Sequence, residues 1–100
     1  MPRLPIDHSK TVMYKLMCKN PQITPIYIGK TTNFPLRKSQ HKRASKTDER
    51  HVYSFIRDNG GFNNWDMVLI EEYPCKNKCE GQRREMELIV ENGARLNADA

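Results

Sequence analysis

From Thr11 to Lys19 apolar and polar residues alternate, which places Val12, Tyr14, Leu16 and Cys18 on one side of a pleat, as a strand requires. Asn20-Pro21-Gln22-Ile23-Thr24-Pro25 reads as a turn or short loop. Ile26-Tyr27-Ile28-Gly29 follows as a second strand, ended by glycine and paired with the first in a hairpin. Thr31, Thr32 and Asn33 can all cap a helix and Pro35 fits a first turn, so a helix is expected over 34–44. A second helix, capped by Thr47 or Asp48, carries Val52, Phe55 and Ile56 as one stripe and stops at Asn59-Gly60-Gly61. Over residues 64–73, Trp65, Met67 and Leu69 interleave with Val68 and Ile70, the pattern of a mostly buried strand. Asn77, with Glu80 three residues on, makes a capping box. The helix it opens runs through Met86, Ile89 and Val90 to Gly93.

The order β, β, α, α, β, α predicts an α+β fold, a small three-stranded, mainly antiparallel sheet flanked by three helices. The 100 residues suit one domain over 1–100, with its core at about 11–97. A hydrophobic fraction of 37% supplies one modest core, and 8% aromatics argue against a disordered chain. Apolar runs such as Met67-Val68-Leu69-Ile70 are too short to span a bilayer. Residues 1–10 hold two prolines, an Asp and a Lys and no apolar h-region, so no secretory leader is expected. The expected setting is intracellular, in the cytoplasm, nucleus or nucleoid of a cell or of an infected host. Three cysteines, Cys18, Cys75 and Cys79, are an odd number and fit a disulfide framework poorly. Cys75 and Cys79 lack a second pair to complete a zinc site, so reduced, buried or half-buried thiols are expected.

The net charge of +5 matters less than its distribution. Between Lys30 and Thr47 stand Lys30, Arg37, Lys38, Lys42, Arg43 and Lys46 with no acid, while the last third carries Glu71, Glu72, Glu80, Glu85, Glu87 and Glu91. A basic segment that grips phosphates and an acidic one that holds a cation would produce this division, as would a dipolar solvated surface.

Within those segments a few residues can carry chemistry. Glu85 lies mid-helix with Leu88 and Ile89 on its own face, so its carboxylate borders the core, where an unpaired charge is costly. A bound Mg²⁺ would balance it, with waters and phosphate oxygens filling the other octahedral positions; an ordinary surface pairing with a base such as Arg84 is the alternative. Arg37 and His41 are one helical turn apart and project together. The guanidinium fork of Arg37 suits phosphate oxygens, and His41 could donate to a phosphate or accept a proton near neutral pH. Lys38, Lys42 and Arg43 on the same helix are assigned to general contact with a nucleic-acid backbone. Tyr14 and Tyr27 sit on neighbouring strands, where their hydroxyls can converge, unless both are simply core aromatics. A phenol, with an ordinary pKa of about 10, is a poor base unless Lys30 and a metal lower the cost of ionising it. Gly29 is expected to allow close packing or an unusual dihedral. Gly81, inside a helix at a cost of roughly 1 kcal/mol against alanine, implies close packing as well.

These residues fall into a known order. Tyr14 closes the triplet Val12-Met13-Tyr14, Tyr27-Ile28-Gly29 stands on the next strand, and Arg37 follows Tyr27 by ten residues. Glu85 lies in the last helix, and Asn97 follows it by twelve in Arg95-Leu96-Asn97. In this order and at these intervals the set resembles the GIY-YIG nucleases, from about Thr11 to Asn97. The first triplet departs from the family's name, with Gly and Ile replaced, but keeps its tyrosine. With Arg37 followed by His41, the chain is most similar to the short stand-alone forms of large DNA viruses and restriction enzymes.

The resemblance implies a three-stranded antiparallel sheet and Mg²⁺- or Mn²⁺-dependent hydrolysis of DNA phosphodiesters. It implies Glu85 on the metal, Arg37 on the phosphate, Tyr14 as general base with His41 its rival, and Tyr27, Gly29 and Lys30 beside them. Asn97 is expected to hold the site by hydrogen bonds. DNA is then the expected partner, met by a monomer or weak homodimer away from membranes; nothing in the short loops suggests how base edges would be read. Two rival readings stand beside this one. The first is an inactive nucleic-acid-binding module of the same fold. The second is a structural or regulatory protein whose basic helix docks an acidic partner.

Overall fold

The computed structural model describes residues 7–97. Most of residues 1–10, the segment read above for a leader, lies outside them. Strand β1 (Val12–Cys18) forms a hairpin with β2 (Tyr27–Thr31). Helices α1 (Phe34–Thr47) and α2 (His51–Asp58) follow, then strand β3 (Trp65–Glu72) and helix α3 (Lys78–Asn92). The strands make one antiparallel sheet in the order β2-β1-β3, so the expected α+β fold with three strands and three helices is the one observed.

Strand alternation divides the core in two. On one face Tyr14, Leu16, Cys18, Trp65 and Met67 pack under Val52, Tyr53 and Ile56 of α2, with Phe34 and Ala44 of α1 at the margin. On the other face Met13 and Ile28 pack on Leu88 and Ile89 of α3. Leu16, Ile28 and Ile56 are fully buried, and each such side chain contributes about 1.5–3 kcal/mol of transfer free energy. Between Met13 and Tyr14 the β1–β3 pairing carries a bulge, which resets the phase of β3 beside Tyr14.

Several boundaries differ from the sequence reading for identifiable reasons. Helix α1 continues past Ala44 to Thr47, because the Arg57 guanidinium donates to the carbonyls of Ser45 and Asp48 and satisfies the helix end. Neither Thr47 nor Asp48 caps α2, which starts at His51 without a side-chain cap; the Asp48 carboxylate is engaged by the Arg50 backbone N–H and guanidinium instead, both at 2.8 Å. Strand β3 is an edge strand and less buried than its apolar run suggested, with Leu69 half exposed. The capping box is half formed. Asn77 accepts the Glu80 N–H at 3.1 Å, but the Glu80 carboxylate turns to the N–H of Lys76 at 2.7 Å. Gly93 ends α3 in the left-handed region, φ 55°, as a glycine C-cap does. All three thiols are free, Cys18 and Cys75 buried and Cys79 exposed. Among the described residues no helix is long and apolar enough to cross a membrane.

Helix α1 is mostly polar, and its inward positions explain why it nonetheless docks. Phe34, Arg37, His41, Ala44 and Ser45 recur at helical spacing, and of these His41 and Ser45 are buried. The stripe that a core helix fills with aliphatics holds here a guanidinium and an imidazole.

Candidate active site

The β1–β2 register sets Tyr14 opposite Gly29 and Leu16 opposite Tyr27, which puts both tyrosines on the face covered by α1 and α2. Gly29 gives the Tyr14 ring its place: a Cβ added there would overlap the ring and hydroxyl of Tyr14. Positive φ values among the described glycines belong to Gly60, Gly61 and Gly93, so at Gly29 the requirement is space and not dihedral freedom. Gly29→Ala is expected to displace the phenol and cost about 1–3 kcal/mol, the usual penalty of overpacking. Thermal unfolding measures it, and an unchanged melting temperature would mean that the ring has room to move.

Around the Tyr14 hydroxyl three elements meet. The oxygen lies 2.6 Å from Nε2 of His41 on α1. The other ring nitrogen, Nδ1, lies 2.8 Å from the Tyr53 hydroxyl on α2. Arg37, one turn before His41, donates its Nε–H to the Tyr14 oxygen at 3.4 Å. The Tyr27 ring stands edge-on to the imidazole, 5.7 Å between centroids. Tyr14 and His41 are 0% exposed and Tyr53 is 3% exposed.

Burial governs the titration of these groups. It pushes the Tyr14 phenol well above the ordinary tyrosine range, and the hydrogen bond from Arg37 offsets only part of the rise. The cation hydrogen-bonded to Tyr14 is Arg37. Burial also holds His41 down at about 4, with Arg37 and Arg50 adding repulsion, so its imidazole is neutral near pH 7.

Glu85 approaches from the other layer. Its helix packs against β2, one of the two edge strands, on the face opposite the tyrosines. Arg84, the neighbour that could have neutralised it, is drawn away to Glu71 at 2.7 Å and Glu87 at 3.1 Å. Glu85 is left beside Lys30 and Arg37. Burial raises its carboxyl pKa above the usual value, while the charges of Lys30 and Arg37 pull it down. Burial raises the Tyr27 phenol, and the charge of Glu85 adds to the rise while Arg37 opposes it. Groups from both layers therefore act on one another around the edge of β2. Lys30 reaches this position across Gly81, where an added Cβ would come 3.3 Å from Lys30 Cδ, and this close approach accounts for a glycine inside α3.

Asn97 holds that edge in place. Its side-chain oxygen accepts the Ile28 N–H at 2.7 Å and its amide donates to the Ile28 carbonyl at 2.8 Å, as a further strand would. Ile28 lies between Tyr27 and Gly29, so this pairing fixes the backbone that carries both.

Tyr53 is the site member that spacing does not single out. It sits inside the apolar stretch of α2 between Val52 and Phe55, and its only sequence signal is a hydroxyl where the stripe would take any aromatic. Lys38, Lys42 and Arg43 are not brought to the phenols; they lie exposed along α1. Beside Lys30 opens a cleft of about 280 Å³, walled also by His8, Lys78 and the hydroxyl-bearing Thr11, Thr31 and Thr32. Among the described residues no three of His, Cys, Asp and Glu gather as a multidentate metal site would need. One half-buried carboxylate does suit a hard cation that takes its remaining ligands from water and substrate oxygens.

The family model described as the GIY-YIG catalytic domain matches residues 10–97. No curated protein and no solved structure matches the chain.

Proposed function

The chain belongs to the GIY-YIG nuclease family, whose catalytic domain covers most of it, and on that premise we propose that it cleaves DNA phosphodiester bonds with a divalent cation, Mg²⁺ or Mn²⁺, held by Glu85. The observation that carries this reading is the gathering of Tyr14, Tyr27, Arg37 and His41 on one face of the sheet at the β2 edge, with the half-buried Glu85 on the helix packed against the same strand. When bound, the cation supplies positive charge to the phosphate oxygens and eases ionisation of the attacking water.

The protein's own groups do the rest. Arg37 rests on the Tyr14 oxygen, a neutral acceptor at 3.4 Å. A phosphate is a far better acceptor for a guanidinium, so substrate draws Arg37 off the phenol and opens Tyr14 to the water. Tyr14 then takes a proton from the water as it passes its own to Nε2 of His41, which avoids a buried phenolate. Tyr14 and His41 thus act together and not as rivals. Once Arg37 is neutralised by the phosphate, part of the repulsion that disfavours protonated His41 disappears. Lys38, Lys42, Arg43 and the cleft beside Lys30 offer contacts to flanking phosphates, which makes binding strongly salt-dependent.

Incubating supercoiled plasmid with the protein in Mg²⁺, in Mn²⁺ and in chelator tests the reading. Nicked or linear product in either metal and none in chelator is expected. Binding without cleavage in any divalent metal would make the chain an inactive module of the same fold. Arg37→Ala is expected to slow single-turnover cleavage at least about 10²-fold, the scale of one transition-state donor, with a smaller loss of affinity. Equal losses in rate and affinity would reduce Arg37 to an anchor.

A further inference from the structure

In the buried chain Tyr14–His41–Tyr53, the Tyr53 hydroxyl faces the ring nitrogen of His41 turned away from Tyr14. The hydrogens of this chain can be placed from the donors available. An imidazole held neutral by burial has one N–H and one lone pair, so a chain with hydroxyls at both nitrogens runs in a single direction. Arg37 can only donate, and it occupies the Tyr14 oxygen as an acceptor at 3.4 Å. The Tyr14 O–H then needs an acceptor of its own. Within this buried cluster that acceptor is Nε2 of His41, 2.6 Å away. Nε2 therefore carries the lone pair, and Nδ1 carries the proton. The group facing Nδ1 at 2.8 Å is the Tyr53 hydroxyl, whose oxygen accepts it.

We propose that Tyr53 is a positioning residue: by accepting the Nδ1–H of His41 it orients the imidazole and supports it as Nε2 takes the proton of Tyr14. This rests on the hydrolytic reading above for its catalytic consequence, though not for the tautomer. The logic is that of a carboxylate behind a catalytic histidine, with a neutral phenol in its place. A neutral partner stabilises an imidazolium less than a carboxylate does. It suits a ring that sits between two arginines and cycles back to neutral after each turnover. The fold supplies the orientation cheaply. Tyr53 is held by packing between Val52 and Ile56 in the main core, and the Arg50 guanidinium lies over its ring at 5.2 Å. The groups facing His41 are Tyr14 and Tyr27 from the sheet, Arg37 from α1, and Arg50 and Tyr53 from α2 and its start.

The test joins a spectroscopic measurement to a double-mutant cycle. In ¹⁵N-labelled wild type, His41 is expected as the Nδ1–H tautomer, with its Nδ1 proton protected from exchange. In Tyr53→Phe, which keeps the ring and its packing, that protection is expected to be lost. Single-turnover cleavage should fall at least about tenfold, at the low end of the range for proton-transfer groups, with DNA affinity within about twofold. In a Tyr14→Phe background the Tyr53 substitution should cost nothing further, because the route it supports is already cut. An Nε2–H tautomer in wild type overturns the proposal, as does a full-rate Tyr53→Phe or an additive loss in the double variant. Should the wild type bind DNA and cleave nothing, the hydrolytic reading fails while the tautomer result still stands or falls alone.

Discussion

Glu85→Ala is expected to lower single-turnover DNA cleavage at least about 10³-fold, the upper range for removal of one preorganised electrostatic partner, while the fold and most of the DNA affinity persist. The expectation rests on what surrounds the carboxylate. Arg84 is committed to Glu71 and Glu87, so Glu85 has no part in the ion-pair network of its own helix. It is half-buried, and its neighbours Lys30 and Arg37 are themselves partly exposed, so water can take over their solvation when the carboxylate is removed. Thermal unfolding should therefore show a near-wild-type transition, and DNA binding in Ca²⁺ should be close to unchanged. Because burial raises its pKa, acidification neutralises Glu85 sooner than an ordinary glutamate, and cleavage should fall off on the acid side correspondingly early. A Glu85→Ala protein that still cleaves in Mg²⁺ would remove the cation from this residue.

Tyr14→Phe is the second large effect, at least about 10²-fold in rate, as expected for loss of a proton-transfer group. Phenylalanine keeps the ring against Gly29 and Phe34, so the packing that seats it survives. What goes is the oxygen that joins Arg37 to His41. His41 Nε2 is then left buried without its partner, a cost of about 1–3 kcal/mol in stability, and unfolding measured alongside the rate separates that loss from the chemical one. A Phe variant with full rate would move the base to His41 alone. Burial bears directly on this choice. The phenol is pushed too high to persist as an anion and the imidazole is held at about 4, so neither group alone is a ready base near neutral pH. Joined at 2.6 Å, each covers what the other lacks.

The sheet and the order of elements were legible because their residues alternate or recur with the periods that backbone geometry imposes. Val12, Tyr14, Leu16 and Cys18 read as one strand face, and Gly93 read as a helix stop. Helix α1 was legible from its caps and not from its core, since its inward stripe is polar. The burial of β3 was overestimated, because an apolar run does not reveal whether a strand lies at the sheet's centre or its edge. Arg37, Glu85 and Asn97 were singled out by order and interval; the layer from which each arrives was not legible, since sequence distance says nothing about which face of the sheet a helix covers. Tyr53 escaped because a core aromatic and a hydrogen-bonding phenol are the same letter. At Gly81 close packing was legible but its partner, the Lys30 side chain, was not.

The proposed cation site lies at the β2 edge, which α3 approaches from one layer and α1 from the other. Paramagnetic broadening by Mn²⁺, followed residue by residue in the labelled protein, locates such a site without requiring turnover. Broadening should centre on Glu85 and extend to Lys30, Tyr27 and the Arg37 side chain, and it should vanish in Glu85→Ala. Broadening centred instead on Glu71, Glu87 and Glu91 around Arg84, and unchanged by the substitution, would contradict it.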